Sequence, residues 1–257
     1  MARARFLWDN ECVKAGVTIT ASASATGYPG TYLANRARWK PWRSSTTSGN
    51  QTVVFDFGTA KTITSVCLVN WKRHTTTGTI KAEYWTGAAY AAFDAGTGIF
   101  TLPASNRTRV VGLWYTPGRS TSRIRITFTY VSGAADYVEL GACVAGAYVE
   151  PAVTLTDDLR FDYNDPSSNV ASDDGQEIAR QRTKFLSLAT EYGAITAADK
   201  NNFLTMFDTV GCTLPFIYAV DAADADQVVY GRLTETLPAA HVTFNRWNVS
   251  VPFVEVR

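Results

Sequence analysis

Between residues 28 and 56 the chain reads YPGTYLANRARWKPWRSSTTSGNQTVVFD. Tyr28-Pro29-Gly30 marks a turn, because Pro presets φ and Gly accepts the positive φ that other residues avoid. Trp39 and Trp42 then stand among Arg36, Arg38, Lys40 and Arg43, and a polar loop follows from Ser44 to Asn50. Val53, Phe55 and Phe57 alternate with Val54 and Asp56, the two-residue period of a strand with one face buried. An aromatic, basic loop thus leads directly into a β core.

The same signature repeats on either side. Residues 17–23, 52–57, 62–71, 79–85, 109–115, 122–131 and 137–144 each read as a short strand. In the third of these, Ile63, Val66, Leu68 and Val69 are the expected buried positions. Gly87, Gly96-Thr97-Gly98, Pro103, Pro117-Gly118 and Ser132-Gly133 punctuate the series. Many short strands separated by turn signals, without helical periodicity, indicate an antiparallel sandwich or barrel.

The opening stretch resembles the discoidin family, the coagulation-factor type C jelly rolls. The residues that carry the likeness are Pro29, Tyr32-Leu33, Asn35, Trp42-Arg43-Ser44 and Asp56-Phe57-Gly58. The resemblance spans about the first 145 residues and implies an N-terminal discoidin-like jelly roll over 1–147. In that family a calcium often lies near an acidic residue of the opening motif. Here the position is Asn35, which keeps a carbonyl oxygen without the charge, so no metal is expected. Extracellular relatives often bridge cysteines placed like Cys12 and Cys143, but reduced buried thiols are the expectation here. The N-terminus, MARARFLWDNE, has Asp9 and Glu11 where an apolar export leader would run.

Around 146–151 the strand pattern pauses, and a second module is expected over 151–257. Residues 155–163 suit a strand. Residues 176–190 suit a helix by their Gln, Glu, Arg and Lys, or a long strand by Phe185, Leu186 and Leu188, and are read as strand. Thr196-Ala-Ala-Asp199 has the layout of a capping box. Phe203, Leu204, Phe207 and Val210 follow at helical spacing, and Gly211 suits a left-handed cap. Residues 214–220, 227–234 and 241–254 read as three more strands, with Trp247 in the alternation of the last. This half resembles the tail-tube-like modules of long-tailed bacteriophages. The resemblance rests on the helix ending at Val210-Gly211, on Leu214-Pro215-Phe216, on Val229-Tyr230-Gly231-Arg232-Leu233 and on Arg246-Trp247-Asn248-Val249-Ser250-Val251. It implies a module that forms a homo-oligomeric ring.

The net charge of +1 conceals an asymmetry. Residues 1–150 carry 16 Lys+Arg against 8 Asp+Glu, and residues 151–257 carry 8 against 15. Two modules with different surroundings are implied. The basic residues lie in β-type sequence with no nucleic-acid motif, so no nucleic-acid partner is expected. No run approaches the ~20 apolar residues of a membrane helix, so no insertion is expected.

Catalytic patterns are lacking. The two histidines, His74 and His241, sit in no recognisable hydrolase or metalloprotease context. Asp157-Asp158, Asp173-Asp174 and Asp221, Asp224 and Asp226 lack the spacing of a calcium loop and read as solvated turns. No cofactor and no enzymatic activity are expected. The candidate ligand or interface contacts are Asn35, Arg36, Arg38, Trp39 and Arg43, since aromatic faces beside cations suit sugar rings or protein anchors. Trp42 reads as core. Thr196, Phe203, Phe207 and Trp247 are the structural positions of the second half. Together the two resemblances suggest a structural protein of a phage tail tip or distal tail, located in the virion and contacting itself and neighbouring tail proteins. The alternative is a carbohydrate-binding adhesin or receptor-binding module whose partner is a cell-surface saccharide.

Overall fold

The computed structural model describes residues 3–36, 39–45, 49–73, 78–93, 99–101, 110–130, 137–152, 160–171 and 177–256. Arg38, His74, Asp157-Asp158 and Asp173-Asp174 lie outside these residues. The chain is mainly β with antiparallel sheets, and it has one α-helix among the described residues.

In chain order the strands begin with β1 (Arg5–Leu7), β2 (Thr18–Ala21), β3 (Trp42–Arg43), β4 (Gln51–Val69), β5 (Lys72–Arg73) and β6 (Gly78–Trp85). Then come β7 (Tyr90–Ala92), β8 (Ile99–Thr101), β9 (Val110–Tyr130), β10 (Val138–Leu140) and β11 (Ala142–Gly146). They are followed by β12 (Arg160–Asn164), β13 (Ser168–Ala171), β14 (Glu177–Arg180), β15 (Phe185–Ile195) and the helix α1 (Ala197–Val210). The chain ends with β16 (Phe216–Ala219), β17 (Val228–Leu233), β18 (Ala239–Thr243) and β19 (Arg246–Glu255). Two compact units result: Met1–Glu150 with Phe216–Val229, and Pro151–Pro215 with Tyr230–Arg257.

In the first unit β4 and β9 form the spine, paired from Gln51↔Phe128 to Val69↔Val110. β11 and β2 flank β4, while β6 flanks β9 and carries β7 and β8. A smaller sheet, β3-β10-β5, supplies Trp42, Val138 and Leu140 to the same buried core as Val53, Phe55, Ile80, Ile124 and Ile126. This is a two-layer sandwich. The alternation of 53, 55 and 57 places those side chains in the core, where burying each is worth roughly 1.5–3 kcal/mol.

The separate strands expected at 52–57 and 62–71 are one strand, β4, and those at 109–115 and 122–131 are one strand, β9. Gly58 (φ 71°) falls where the register shifts between Asp56 and Lys61, and Pro117 falls in a second shift, between Ile63↔Arg119 and Ser65↔Trp114. Two bulges absorb the punctuation and the ladder continues. Trp71 lies beyond β4, which ends where Asn70 takes φ 50°.

β16 pairs with β1 through Arg5↔Ala219, Phe6↔Tyr218 and Leu7↔Ile217, and Phe6 stacks on Tyr218 at 4.5 Å. For this reason residues 216–229 group with the first unit, and the expected single module over 151–257 is interrupted.

In the second unit β19 lies between β15 on one side and β17 and β18 on the other, and β15 also carries β12. Gly231 is required in β17, since a Cβ there would collide with the Val254 carbonyl. Residues 176–190 contain two strands, with β15 extending to Ile195. Residues 241–254, read as one strand, are instead a hairpin of β18 and β19. Asn245 takes φ 55° at its turn and leaves Phe244 at the tip.

Thr196 caps α1: its Oγ1 accepts from the Asp199 N–H at 3.1 Å and its hydroxyl donates to Asp199 Oδ2 at 3.0 Å. Phe203, Met206 and Val210 are buried, and Phe203 meets Tyr192 at 5.2 Å. Phe207 is half-buried and Leu204 exposed, so Met206 replaces Leu204 on the expected apolar face. Gly211 ends the helix with φ 51° and ψ −148°, a positive φ outside the left-handed helical well.

Candidate functional site

The loop before β3 begins at Pro29 (φ −69°, ψ 154°) and winds into a 3₁₀ turn, Gly30–Ala34. Its Leu33 is fully buried, which pins the loop to the sandwich. A Cβ on Gly30 would lie 3.1 Å from Ala21 Cβ, tighter than an ordinary contact, so glycine lets the turn and β2 approach without a shift. Asn35 closes the turn in extended conformation, and Arg36 next to it is half-buried.

The two tryptophans part company here. Trp42 is fully buried, donates from Nε1 to Ala23 O and Ser24 Oγ, both at 3.1 Å, and lies 6.1 Å from Phe128. Trp39 is 70% exposed. Lys40 Nζ sits 4.9 Å from the Trp39 ring and 6.0 Å from that of Tyr32. An open indole, a phenol and an ammonium with three donors therefore stand together on the loop. An indole face takes the C–H face of a sugar ring, and an ammonium donates to hydroxyl or anionic oxygens.

Arg43 does not belong to that surface. Its Nε and Nη2 donate to Glu139 Oε2 at 3.1 and 2.6 Å, and its guanidinium lies 4.2 Å from the Tyr28 ring and 4.3 Å from that of Tyr137. The hydrogen bond it donates to Glu139 holds the Arg43 pKa above its ordinary value. Arg43, expected as a ligand contact, is placed as a clamp between β3 and β10. Tyr32 was overlooked although it lies in the same stretch. Tyr137 and Glu139 come from the far end of the unit, which no local pattern announces.

No protein family and no curated protein matches the sequence. Among solved structures it is similar to a chitosan-binding module of a chitosanase/glucanase from Paenibacillus, at 18% identity and TM-score 0.42 over 54% of this chain and 98% of that one. It is also similar to the module CBM32-1 of a family 31 glycoside hydrolase from Clostridium perfringens, at 11% identity and TM-score 0.45 over 55% and 99% of the two chains. A family 32 carbohydrate-binding module from the same organism, solved with galactose, gives 12% identity and TM-score 0.41 over 57% and 99%.

Glu83 accepts from Arg125 Nε at 2.7 Å and meets Lys81 Nζ at 2.7 Å. Its burial favours the neutral acid, but the two cations outweigh that and hold its pKa below the usual value. Cys12 and Cys143 are unbridged, with sulfurs 3.8 Å apart, and burial pushes the Cys12 and Cys67 thiols well up. Among the described residues no group of three or more potential ligands is arranged to hold a metal.

In the second unit Trp247 is half-buried between Lys200, 4.3 Å from its ring, and His241 at 4.7 Å. Of the large apolar side chains that stand exposed among the described residues, Trp39 belongs to the first unit. Tyr163, Leu204, Leu214, Val242 and Phe244 belong to the second.

Proposed function

We propose that the chain is a saccharide-binding protein whose first unit, a discoidin-type jelly roll, takes its ligand on the surface of Tyr32, Trp39 and Lys40. The observation that carries this reading is the Trp39 indole, 70% exposed beside the Lys40 ammonium on a loop whose other tryptophan is spent on the core. Exposing so large an apolar ring has a cost that a stacked sugar ring would remove. Binding rather than catalysis fits the matched state of the buried carboxylates Glu83 and Glu139, each engaged by arginine. A glycan array with the full chain tests the reading. Hits should disappear in Trp39→Ala and persist in Arg43→Lys, and a wild-type array without hits refutes it.

A second reading, a ring-forming component of a phage tail tip or distal tail located in the virion, is favoured by a different observation. The exposed apolar side chains cluster in the acidic second unit, with Phe244 88% exposed at the β18–β19 hairpin tip. Such an unsatisfied tip suits burial against another copy or a neighbouring tail protein. Basic and acidic halves would set the register of a head-to-tail contact. Light scattering of wild type and of Val242→Thr/Phe244→Ser, with and without tail proteins, tests this. Monomers under every condition dismiss it.

A further inference from the structure

β12 and β13 form one arm of a two-stranded ribbon, and β14 and β15 the other. The register is Asn164↔Phe185 on one side of a break and Ser168↔Arg180 on the other. Three residues, Asp165-Pro166-Ser167, thus oppose four, from Gln181 to Lys184. Pro166 has no N–H to give the ladder, and the mismatch opens the ribbon as a bulge does. Side chains fill in for the lost backbone bonds. Ser167 Oγ accepts from the Arg182 N–H at 2.9 Å, and its hydroxyl donates to the Arg182 carbonyl at 3.4 Å. Asp165 accepts from the Ser167 N–H at 3.0 Å and meets Lys184 Nζ at 3.0 Å. The opening is a groove of about 420 Å³ whose lining includes Asn169, Arg180, Gln181 and Arg182.

Charge makes this groove unusual. Residues 151–257 hold 15 Asp+Glu against 8 Lys+Arg, so a cation there ordinarily has a carboxylate to find. Arg160 pairs with Asp162 and Lys184 with Asp165, while Lys200 lies over the Trp247 ring. Arg232 and Arg246 donate to the carbonyls of Cys212 and Ala194. Among the described residues Arg180 and Arg182 are the cations of this unit whose guanidiniums meet neither a carboxylate, a carbonyl nor a ring, and both line the groove. The lining carboxylate, Asp165, is neutralised by Lys184.

We propose that this groove binds an oxyanion group (sulfate, phosphate or carboxylate) between the Arg180 and Arg182 guanidiniums, with the Asn169 and Gln181 amides as further donors. Guanidinium forks match such oxygens in pairs, and two together favour a doubly charged group. Among the described residues no aromatic side chain lines the groove, so it offers no stacking platform of the kind on which single-stranded nucleic acid relies. An acidic polysaccharide and a free inorganic oxyanion share the chemistry that remains. This site lies on the other unit from Trp39 and does not depend on the saccharide reading of that surface.

The experiment compares the full chain with Arg180→Gln/Arg182→Gln, and with Arg160→Gln as a control outside the groove. Mobility is measured in gels containing dextran sulfate or neutral dextran, and binding of inorganic sulfate and phosphate by titration. Dextran sulfate should retard the wild type and the control, neutral dextran neither. The double variant should bind at least tenfold more weakly with unchanged circular dichroism and melting. A free-anion site shows instead as saturable sulfate or phosphate binding that the polymer does not tighten and that the double variant loses. Retardation that survives in the double variant belongs to the basic first unit and overturns the proposal, as does the absence of any binding.

Discussion

Replacing Arg43 should reveal the clamp as a stability element and separate it from the ligand surface beside it. Arg43 and Glu139 stand directly opposite in the β3–β10 pair. Glu139 is 4% exposed, and Arg43 gives it two hydrogen bonds while lying between two tyrosine rings. In Arg43→Ala the buried carboxylate loses the Arg43 guanidinium, and breaking such a pair costs about 3–5 kcal/mol when both partners are well buried. Two cation–π contacts of roughly 0.5–1 kcal/mol each disappear with it. The Arg43 side chain is 29% exposed, so water can partly replace it. The expected loss is therefore at the low end, about 3 kcal/mol in all. Arg43→Lys keeps the charge but neither the fork nor the stacking, and should lose about half as much. Arg43→Met with Glu139→Leu removes both charges, so its cost should fall short of the summed singles by about 1–3 kcal/mol. Urea unfolding at pH 7, followed by far-UV circular dichroism, measures wild type, these variants and the two singles Arg43→Met and Glu139→Leu. A loss under about 0.5 kcal/mol for Arg43→Ala, or strictly additive singles, refutes the clamp.

Thr196→Ala should cost about 1 kcal/mol through the lost cap, and Phe203→Ala roughly 3–5 kcal/mol through a cavity against Tyr192. Equal small losses in denaturant unfolding would mean that α1 is not docked by that face. Glu83 has a folded pKa below its ordinary 4.5, so its contribution is present above that pH and fades as pH falls through the folded value. The stability gap between wild type and Glu83→Gln should hold from pH 8 to about 5 and shrink in stronger acid; a gap that widens there contradicts the Arg125 and Lys81 pairing. A fragment of residues 1–147 lacks β16 and the Val149 carbonyl that accepts from the Phe6 N–H. It should keep the sandwich but exchange the amide hydrogens of β1 far faster than the full chain does, and unchanged protection would deny that β16 holds β1.

The strand series was legible wherever one face is buried, because alternation is a local consequence of burial. It failed where hydrogen bonding outlasts the pattern. Gly58 and Pro117 look like breaks when each is read alone, but each falls in a register shift that the pairing absorbs, and only the pairing shows that β4 and β9 run through. At residues 241–254 the error had the opposite sign. Val242 and Phe244 continue the alternation on paper, yet both are exposed, and the chain reverses at Phe244-Asn245. Apolar residues at a hairpin tip mimic a strand, since spacing alone does not say which of them meets a core. In α1 the same limit exchanged Leu204 for Met206: both fit a helical stripe, and the neighbouring sheet chose between them.

The candidate site divides along the same line. Trp39 and Trp42 are three residues apart with similar neighbours, and their fates diverge because Trp42 lies in a strand that pairs with Leu140 while Trp39 precedes it. Arg43 looked like a ligand contact because its sequence neighbours are basic and aromatic. Its actual neighbours, Tyr137 and Glu139, arrive from about a hundred residues away, and a buried carboxylate claims a guanidinium more strongly than solvent or a sugar hydroxyl can. Arg180 and Arg182 present the converse case. They stand in a stretch of sequence with carboxylates on both sides, which suggests that their charges are matched. The break opposite Pro166 turns them instead toward a groove in which, among the described residues, the lining carboxylate is already held by Lys184. A cation's availability is thus set by the competition among its spatial neighbours, and that competition separates the clamp at Arg43 from the open groove at Arg182.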